Sequence, residues 1–309
     1  MYNLCCISND LKAKDISFKT MTWKRFTQLS AESREKALQE LGAKWLNNVL
    51  VTRQTIEHCY YNGWGYRVSS SLFPVLTHPE FEYDMQDVPQ YAEIQRELIS
   101  IANANRAWRV RLSTHPDQFN VLASENQAAV SKTIHELDHH GWVLDKLGCE
   151  RSRENPINIH VNCTKGSLKD IAQRFAENLA KCDESVTTRL TVETEDKGCW
   201  NAETLCEHFD VPVCFDNLHN QCNPAESLSE YEAAKLCKST WKGVRPLFHL
   251  SESHPTKGNP RSHADLPTVY PWVAADIQAD WDVEFKGKDD AIRELSSLRS
   301  YTKRKYYEQ

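Results

Sequence analysis

Eight short apolar segments recur along this chain, separated by longer stretches of helical pattern, and this rhythm restricts the fold more than any other feature. The strand candidates are Tyr2–Ile7, Tyr66–Ser70, Trp108–Ser113, Ile157–Asn162, Arg189–Glu193, Val211–Phe215, Pro246–Leu250 and Trp281–Phe285. Amphipathic stretches lie between most of them. The clearest are Ser33–Tyr61, stopped by Asn62-Gly63, and Glu125 to Leu147, which ends at Gly148. Strands alternating with helices imply an α/β fold with a parallel sheet. A closed barrel and an open doubly wound sheet both satisfy that pattern. Polar residues at the C-terminal ends of many different strands favour the barrel, which gathers all those ends around one mouth. An open sheet focuses its chemistry on one crevice, and no Gly-x-Gly-x-x-Gly turn is present. The expected fold is a TIM-type (β/α)8 barrel.

The chain has 309 residues, 40% of them hydrophobic. An eight-stranded α/β barrel takes about 250 residues, so a single domain over 1–309 is expected, with a short basic tail over about 299–309 that carries Arg299, Lys303, Arg304 and Lys305. That tail reads either as a solvated face or as a contact for a polyanion. No apolar run approaches the roughly 18 residues of a membrane helix. The start, Met1 to Ile7, turns polar at once and lacks the basic lead and apolar stretch of a secretory signal. A cytoplasmic protein with no membrane contact, acting as a monomer, is expected. The eleven cysteines are odd in number, irregularly spaced and without a Cys-x-x-Cys pair, which fits free thiols in a reducing compartment and argues against a thiolate zinc site.

Twelve histidines divide into two groups. His58, His135, His139, His140 and His208 fall in helical stretches. His78, His115, His160, His219, His249, His254 and His263 fall at strand ends or just after them. Glu193, Asp216 and Glu284 end strands five, six and eight. One such histidine is ordinarily a satisfied core residue, but seven at one mouth are hard to explain as packing. A buried carboxylate costs several kcal/mol unless paired or bound to metal. These three follow apolar strand cores with no Lys or Arg nearby except Lys286. Divalent cations would compensate them. His and carboxylate ligands without thiolate suit Zn, Mn or Fe, and the ligand set alone does not choose. The net charge of −6 argues against non-specific coating of nucleic acid, while ligand carboxylates contribute to that count.

Seven motifs in order resemble the UV damage endonucleases. Leu112-Ser113-Thr114-His115-Pro116-Asp117-Gln118-Phe119 is similar to their Ser-x-His-Pro-x-Gln-Tyr signature, and Tyr66-Arg67-Val68-Ser69-Ser70, with Pro74 and His78, to their Tyr-Arg-x-Ser-Ser segment. Val192-Glu193, Phe215-Asp216-Asn217-Leu218-His219, Phe248-His249-Leu250-Ser251, Ser262-His263-Ala264 and Val283-Glu284-Phe285-Lys286-Gly287-Lys288 follow in the family's order. The chain departs from the family at Cys6 and Phe119, where an aromatic Tyr is usual, and at Leu247, where some relatives carry lysine. The resemblance implies a barrel like endonuclease IV and the xylose-isomerase-like enzymes. It implies a DNA repair endonuclease that nicks the phosphodiester backbone immediately 5′ to cyclobutane pyrimidine dimers and 6-4 photoproducts, with abasic sites as a candidate third substrate.

The resemblance also implies up to three divalent ions, Mn²⁺ favoured and Zn²⁺ or Mg²⁺ as alternatives. One would take His115, His160 and Glu193. A second would share Glu193 and add Asp216, His249 and Glu284. A third would take His219 and His263. Catalysis would rest on Glu193, Asp216, His249 and Glu284, because such ions lower the pKa of bound water from 15.7 towards about 7 and clamp both oxygens of an in-line displacement. No Gly-x-Ser-x-Gly elbow suggests a side-chain nucleophile. Damaged double-stranded DNA would meet Gln118 and Phe119 in the loop after strand three, filling the gap left by displaced bases. Asn9 and His78 would line the mouth. Lys257 and Arg261 would contact phosphate, as would Lys286 and Lys288 unless one of these pairs with a carboxylate. The main rival is a sugar isomerase or epimerase on the same metal-binding barrel, which would need neither the Gln118-Phe119 pair nor the basic loop. A non-catalytic metal-binding barrel is the third reading.

Overall fold

Each barrel strand of this protein is short and puts alternate residues on opposite faces, so its sequence has to satisfy two environments at once. The structure is a computed structural model. It describes residues 1–307, without the side chains of residue 272 and residues 301–307, so the basic side chains of Lys303, Arg304 and Lys305 in the tail lie outside what is described. The strands are β1 (Tyr2–Cys5), β2 (Gly65–Val68), β3 (Leu112–Thr114), β4 (Ile157–Ile159), β5 (Leu190–Glu193), β6 (Val213–Cys214), β7 (Leu247–Leu250) and β8 (Asp280–Val283). All pair in parallel, in the order β6-β5-β4-β3-β2-β1-β8-β7. Between β6 and β7 the ladder narrows to one parallel bridge, Asp216 to His249, reinforced by the His249 N–H donating to the Phe215 carbonyl at 2.9 Å. The sheet is the eight-stranded TIM-type barrel that the strand–helix rhythm implies.

The pairing register sorts the two faces. Leu4, Tyr66 and Leu112 align across β1, β2 and β3, and Ile159 aligns with Val192. These residues, with Phe215, Phe248, Leu250 and Val283, are fully or almost fully buried in one continuous apolar layer beneath the helices. Burial of each such side chain contributes roughly 1.5–3 kcal/mol. The other face points into the barrel and is polar: Asn3, Arg67, Ser113, Asn158, Thr191, Glu193, His249 and Asp282 are all buried. The residues one or two steps beyond the strands, His115, His160, Asp216 and Glu284, continue the same alternation at the C-terminal mouth. Gly65 faces inward where a Cβ would sit 2.1 Å from the Asn3 Oδ1, so no larger residue fits.

Helices form where the sequence supplies caps. The long helix Arg34–Asn62 starts at Ser33, whose side chain accepts the Lys36 N–H, and stops at Gly63 in the left-handed conformation (φ 68°). The helix Gln127–Lys146 sits within two residues of the expected stretch, with Asn126 as its cap. One boundary differs. Trp108 was expected to open the third strand but is the last residue of the helix Tyr91–Trp108, and Arg109 turns the chain at φ 54°. The Trp108 ring stacks on Tyr60 at 5.3 Å, which fastens it to the helical layer. All eleven cysteines are free. Among the described residues no helix is long and apolar enough to cross a membrane.

Candidate metal centre and active site

Glu193 ends β5 at the centre of the mouth and is 1% exposed. Four imidazoles surround it, two from just beyond β3 and β4, one from the helix that follows β6 and one from within β7. His115 Nε2 lies 3.0 Å and His160 Nε2 3.7 Å from its Oε2, while His219 Nδ1 lies 3.1 Å and His249 Nδ1 3.2 Å from its Oε1. Asn158, pointing inward from β4, donates to Oε2 at 2.6 Å, and the Thr191 hydroxyl donates to Asn158 Oδ1 at 2.9 Å. Burial works to raise the Glu193 carboxyl, but the charges of His249 and His160 and hydrogen bonds from His115 and His219 hold it well below the usual carboxylate range.

A second group is built around His249. Its Nδ1 faces Glu284 Oε1 at 3.4 Å and Asp216 Oδ2 at 3.8 Å in addition to Glu193. Both His249 Nδ1 and Asp216 Oδ2 are buried without a hydrogen-bond partner. Asp216 and His219 are brought together by a local device: Asp216 is the N-cap of the short helix Asn217–Cys222 and its Oδ1 accepts the His219 N–H at 2.7 Å. The Asp-x-x-His spacing is therefore the cap-to-third-residue spacing of a helix start. One Asp216 oxygen serves the cap, and the other points into the site.

The charge balance calls for cations. Glu193, Asp216, Asp282 and Glu284 converge here. Among the described residues Arg67 is the guanidinium that faces them, paired with Glu284 and 3.6 Å from Asp282 Oδ2. Protons take up part of the deficit. Burial opposes charging of His219, yet Asp216 and Glu193 raise it to about 11, whereas burial pushes His160 down to about 4. Orphaned ligand atoms, an unbalanced negative cluster and a donor set of imidazole and carboxylate together fit divalent cations.

The ligand atoms form three triads within 4.8 Å: His115 with Glu193 and His249, His160 with Glu193 and His219, and Asp216 with His249 and Glu284. These triads overlap the sets implied by the resemblance at Glu193 and at the Asp216, His249 and Glu284 group. His115 and His160 share Glu193 but fall in different triads, and His219 groups with His160 and not with His263. His263 reaches the rim instead, its Nδ1 2.9 Å from the Glu284 carbonyl and 4.0 Å from Glu284 Oε2. A further triad, Asp10, His58 and Asp289, already contains an Arg293–Asp10 ion pair.

The expected DNA contacts spread around the mouth. Phe119 is 78% exposed, and Asp117 Oδ1 accepts its N–H at 2.9 Å. Asn9 ties the β1 and β8 loops together by donating to the Gly287 carbonyl at 3.2 Å and to Asp289 through its backbone N–H. His78 stands apart from the ligands, stacked on Trp23 at 4.2 Å, beside a cavity of about 310 Å³ that Phe119 and Lys132 also line. Lys257 sits against Lys286 and lowers the Lys286 ammonium, so two cations share one patch of rim. Arg261 is engaged by Asp196 at 3.0 Å. Lys288 follows β8 with φ 53°. A separate cavity of about 780 Å³ opens at the opposite end of the barrel between Met1, Arg109 and Asp280.

The expectation that no Arg or Lys except Lys286 stands near the carboxylates is corrected by Arg67, which arrives from β2. Arg67, Asp282 and Asn158 were missed as site residues. The signal was present: on β8, Asp280, Asp282 and Glu284 repeat at a spacing of two, and a charged residue at an inward position of a strand belongs to the interior.

A model of the family described as UV-endonuclease UvdE matches residues 2–307. The chain belongs to this family. A member from Bacillus velezensis, named UV DNA damage endonuclease, is 31% identical over 297 residues, covering 91% of this chain and 89% of the relative. The crystal structure of SacUVDE superposes with a TM-score of 0.81 at 24% identity, covering 98% of each chain. Endonuclease IV from Thermus thermophilus shares the barrel at a TM-score of 0.53 and 16% identity, over 82% of this chain and 94% of that one. The family match thus spans the whole barrel, mouth loops included.

Proposed function

We propose that this chain is an intracellular DNA repair endonuclease that nicks the backbone immediately 5′ to cyclobutane dimers and 6-4 photoproducts, and at abasic sites, by hydrolysis assisted by divalent ions. The carrying observation is Glu193 encircled by His115, His160, His219 and His249, with orphaned atoms of Asp216 and His249 beside it. Up to three ions would be held by the three triads, with Mn²⁺ favoured and Zn²⁺ or Mg²⁺ as alternatives. Bound there, such ions supply Lewis-acid stabilisation of phosphoryl oxygens and activation of water. The candidate ligand set is complete within one chain, and the monomer is the proposed unit of action.

The protein's own groups do the rest. Asn158 fixes the Glu193 carboxylate, and Arg67 fixes Glu284. Lys257 and Lys286 offer paired cations to phosphate at the rim, where contacts position the duplex without reading its sequence. Gln118 and the exposed Phe119 ring follow His115 in the loop after β3, where a ring can stack on an unpaired base for roughly 1–3 kcal/mol. A sugar isomerase would need neither feature. The test is incubation of UV-irradiated and intact duplex with Mn²⁺, with and without EDTA. Nicking confined to irradiated DNA and abolished by EDTA is expected. Glu193→Gln should cut the rate by about 10³-fold or more, since it removes several kcal/mol of ion-dependent stabilisation.

A further inference from the structure

The exposed Phe119 is useful as a wedge only if its loop is held at a fixed distance from the ligands. Two residues that no ligand assignment uses do this. Asn162 lies two residues beyond His160, in the left-handed conformation at φ 47°, which asparagine tolerates better than most side chains. Its backbone N–H donates to Glu195 Oε1 at 2.7 Å, and its side-chain amide donates to the Gln118 carbonyl at 2.9 Å. Glu195 is buried, two residues beyond Glu193, and is fixed through its own backbone: its N–H donates to the Trp200 carbonyl at 2.9 Å, and its carbonyl accepts from Asn223 at 3.1 Å. On its far side the wedge loop is anchored by the Val121 N–H on Thr133 Oγ1 at 3.1 Å.

The three strands that deliver Glu193, His160 and His115 thus each continue into one link of a chain, Glu195 to Asn162 to Gln118. We propose that Asn162, backed by Glu195, is a positioning residue that sets the Gln118–Phe119 wedge against the metal centre and so couples lesion opening to the nick. This rests on the endonuclease reading above. A loop already tied by these hydrogen bonds costs less to immobilise when DNA binds, so less of the base stacking is offset.

The test is single-turnover nicking, in Mn²⁺, of a duplex with one defined cyclobutane dimer. A second duplex carries the same dimer opposite mismatched bases, which is already unstacked and needs less opening. Asn162→Asp keeps shape and backbone preference but turns an oxygen towards the Gln118 carbonyl. Asn162→Gly keeps the left-handed backbone and removes the amide. Both are expected to nick the paired duplex about three- to tenfold more slowly, the loss of one hydrogen bond. Both should recover most of that rate on the mismatched duplex, with unchanged metal content. In a Gln118→Ala, Phe119→Ala background, Asn162→Gly should cost nothing further, because the tether then holds no wedge. Equal losses on both duplexes, additive losses or no loss overturn the inference. A wild-type chain that fails to distinguish damaged from intact duplex overturns the endonuclease reading itself, whatever the variants do.

Discussion

Asp216 and His249 meet at the one place where the barrel closes: their backbones form the single bridge between β6 and β7, and Asp216 Oδ2 stands 3.8 Å from His249 Nδ1 with neither atom hydrogen-bonded. A barrel closed by two candidate ligands links the ions to the integrity of the fold. The same pair contributes to the fold through backbone and to chemistry through side chains.

Metal removal should therefore lower thermal stability as well as activity. An ion at about 100 times its dissociation constant stabilises by about 2.7 kcal/mol, worth about 4 °C for a chain of this length. The check is the melting temperature in EDTA and after titration with Mn²⁺. A melting temperature that ignores the metal would contradict the assignment of Asp216 and His249 as ligands.

Arg67 gives a second outcome. Its guanidinium holds Glu284 and faces Asp282 inside the barrel. Arg67→Met keeps much of the stem but leaves buried carboxylates without their protein cation, at a cost of about 3–5 kcal/mol. Urea unfolding of the metal-free variant should show that loss, and Mn²⁺ should restore more stability to the variant than to the wild type. Equal gains from Mn²⁺ in both would show that the guanidinium and the ions do not share these carboxylates.

A pH effect of opposite origin is expected away from the mouth. His139 lies between Phe73, 6.0 Å away, and Trp142, stacked at 5.7 Å. Burial above all, then the charge of His140, pushes it down to about 3, against the pull of Glu136. The unfolded chain binds this proton first, so the contribution to stability is complete above about 6.5 and is lost as pH falls towards 3. In EDTA, the wild type should lose more melting temperature between pH 7.5 and 5 than His139→Phe, which keeps a ring in the slot. Parallel profiles would remove His139 from the account.

The barrel was legible because period-two strands and capped helices are local patterns: Ser33 and Gly63 bound their helix as read, and all eight strands fall where the apolar runs lie. The mouth was legible because His115, His160, Glu193, Asp216, His249 and Glu284 sit at strand ends in sequence. Partnership was not. Whether His219 faces His160 or His263 depends on the order of strands around a closed sheet, and Arg67 reaches Glu284 across β1, from a strand more than 200 residues distant in sequence. Asn158 was hidden for a similar reason, since a short strand such as Ile157–Ile159 carries too few residues to show which face turns inward until its neighbours are known.

The most direct measurement is the position of the nick on a duplex carrying one cyclobutane dimer, mapped at single-nucleotide resolution after reaction with Mn²⁺, alongside the undamaged duplex and Glu193→Gln. The account predicts one cut immediately 5′ to the dimer in the damaged strand, none in the intact duplex, and a rate for the variant lower by about 10³-fold or more. Cutting of both duplexes alike, or a Glu193→Gln chain that cuts at the wild-type rate in EDTA, would contradict it.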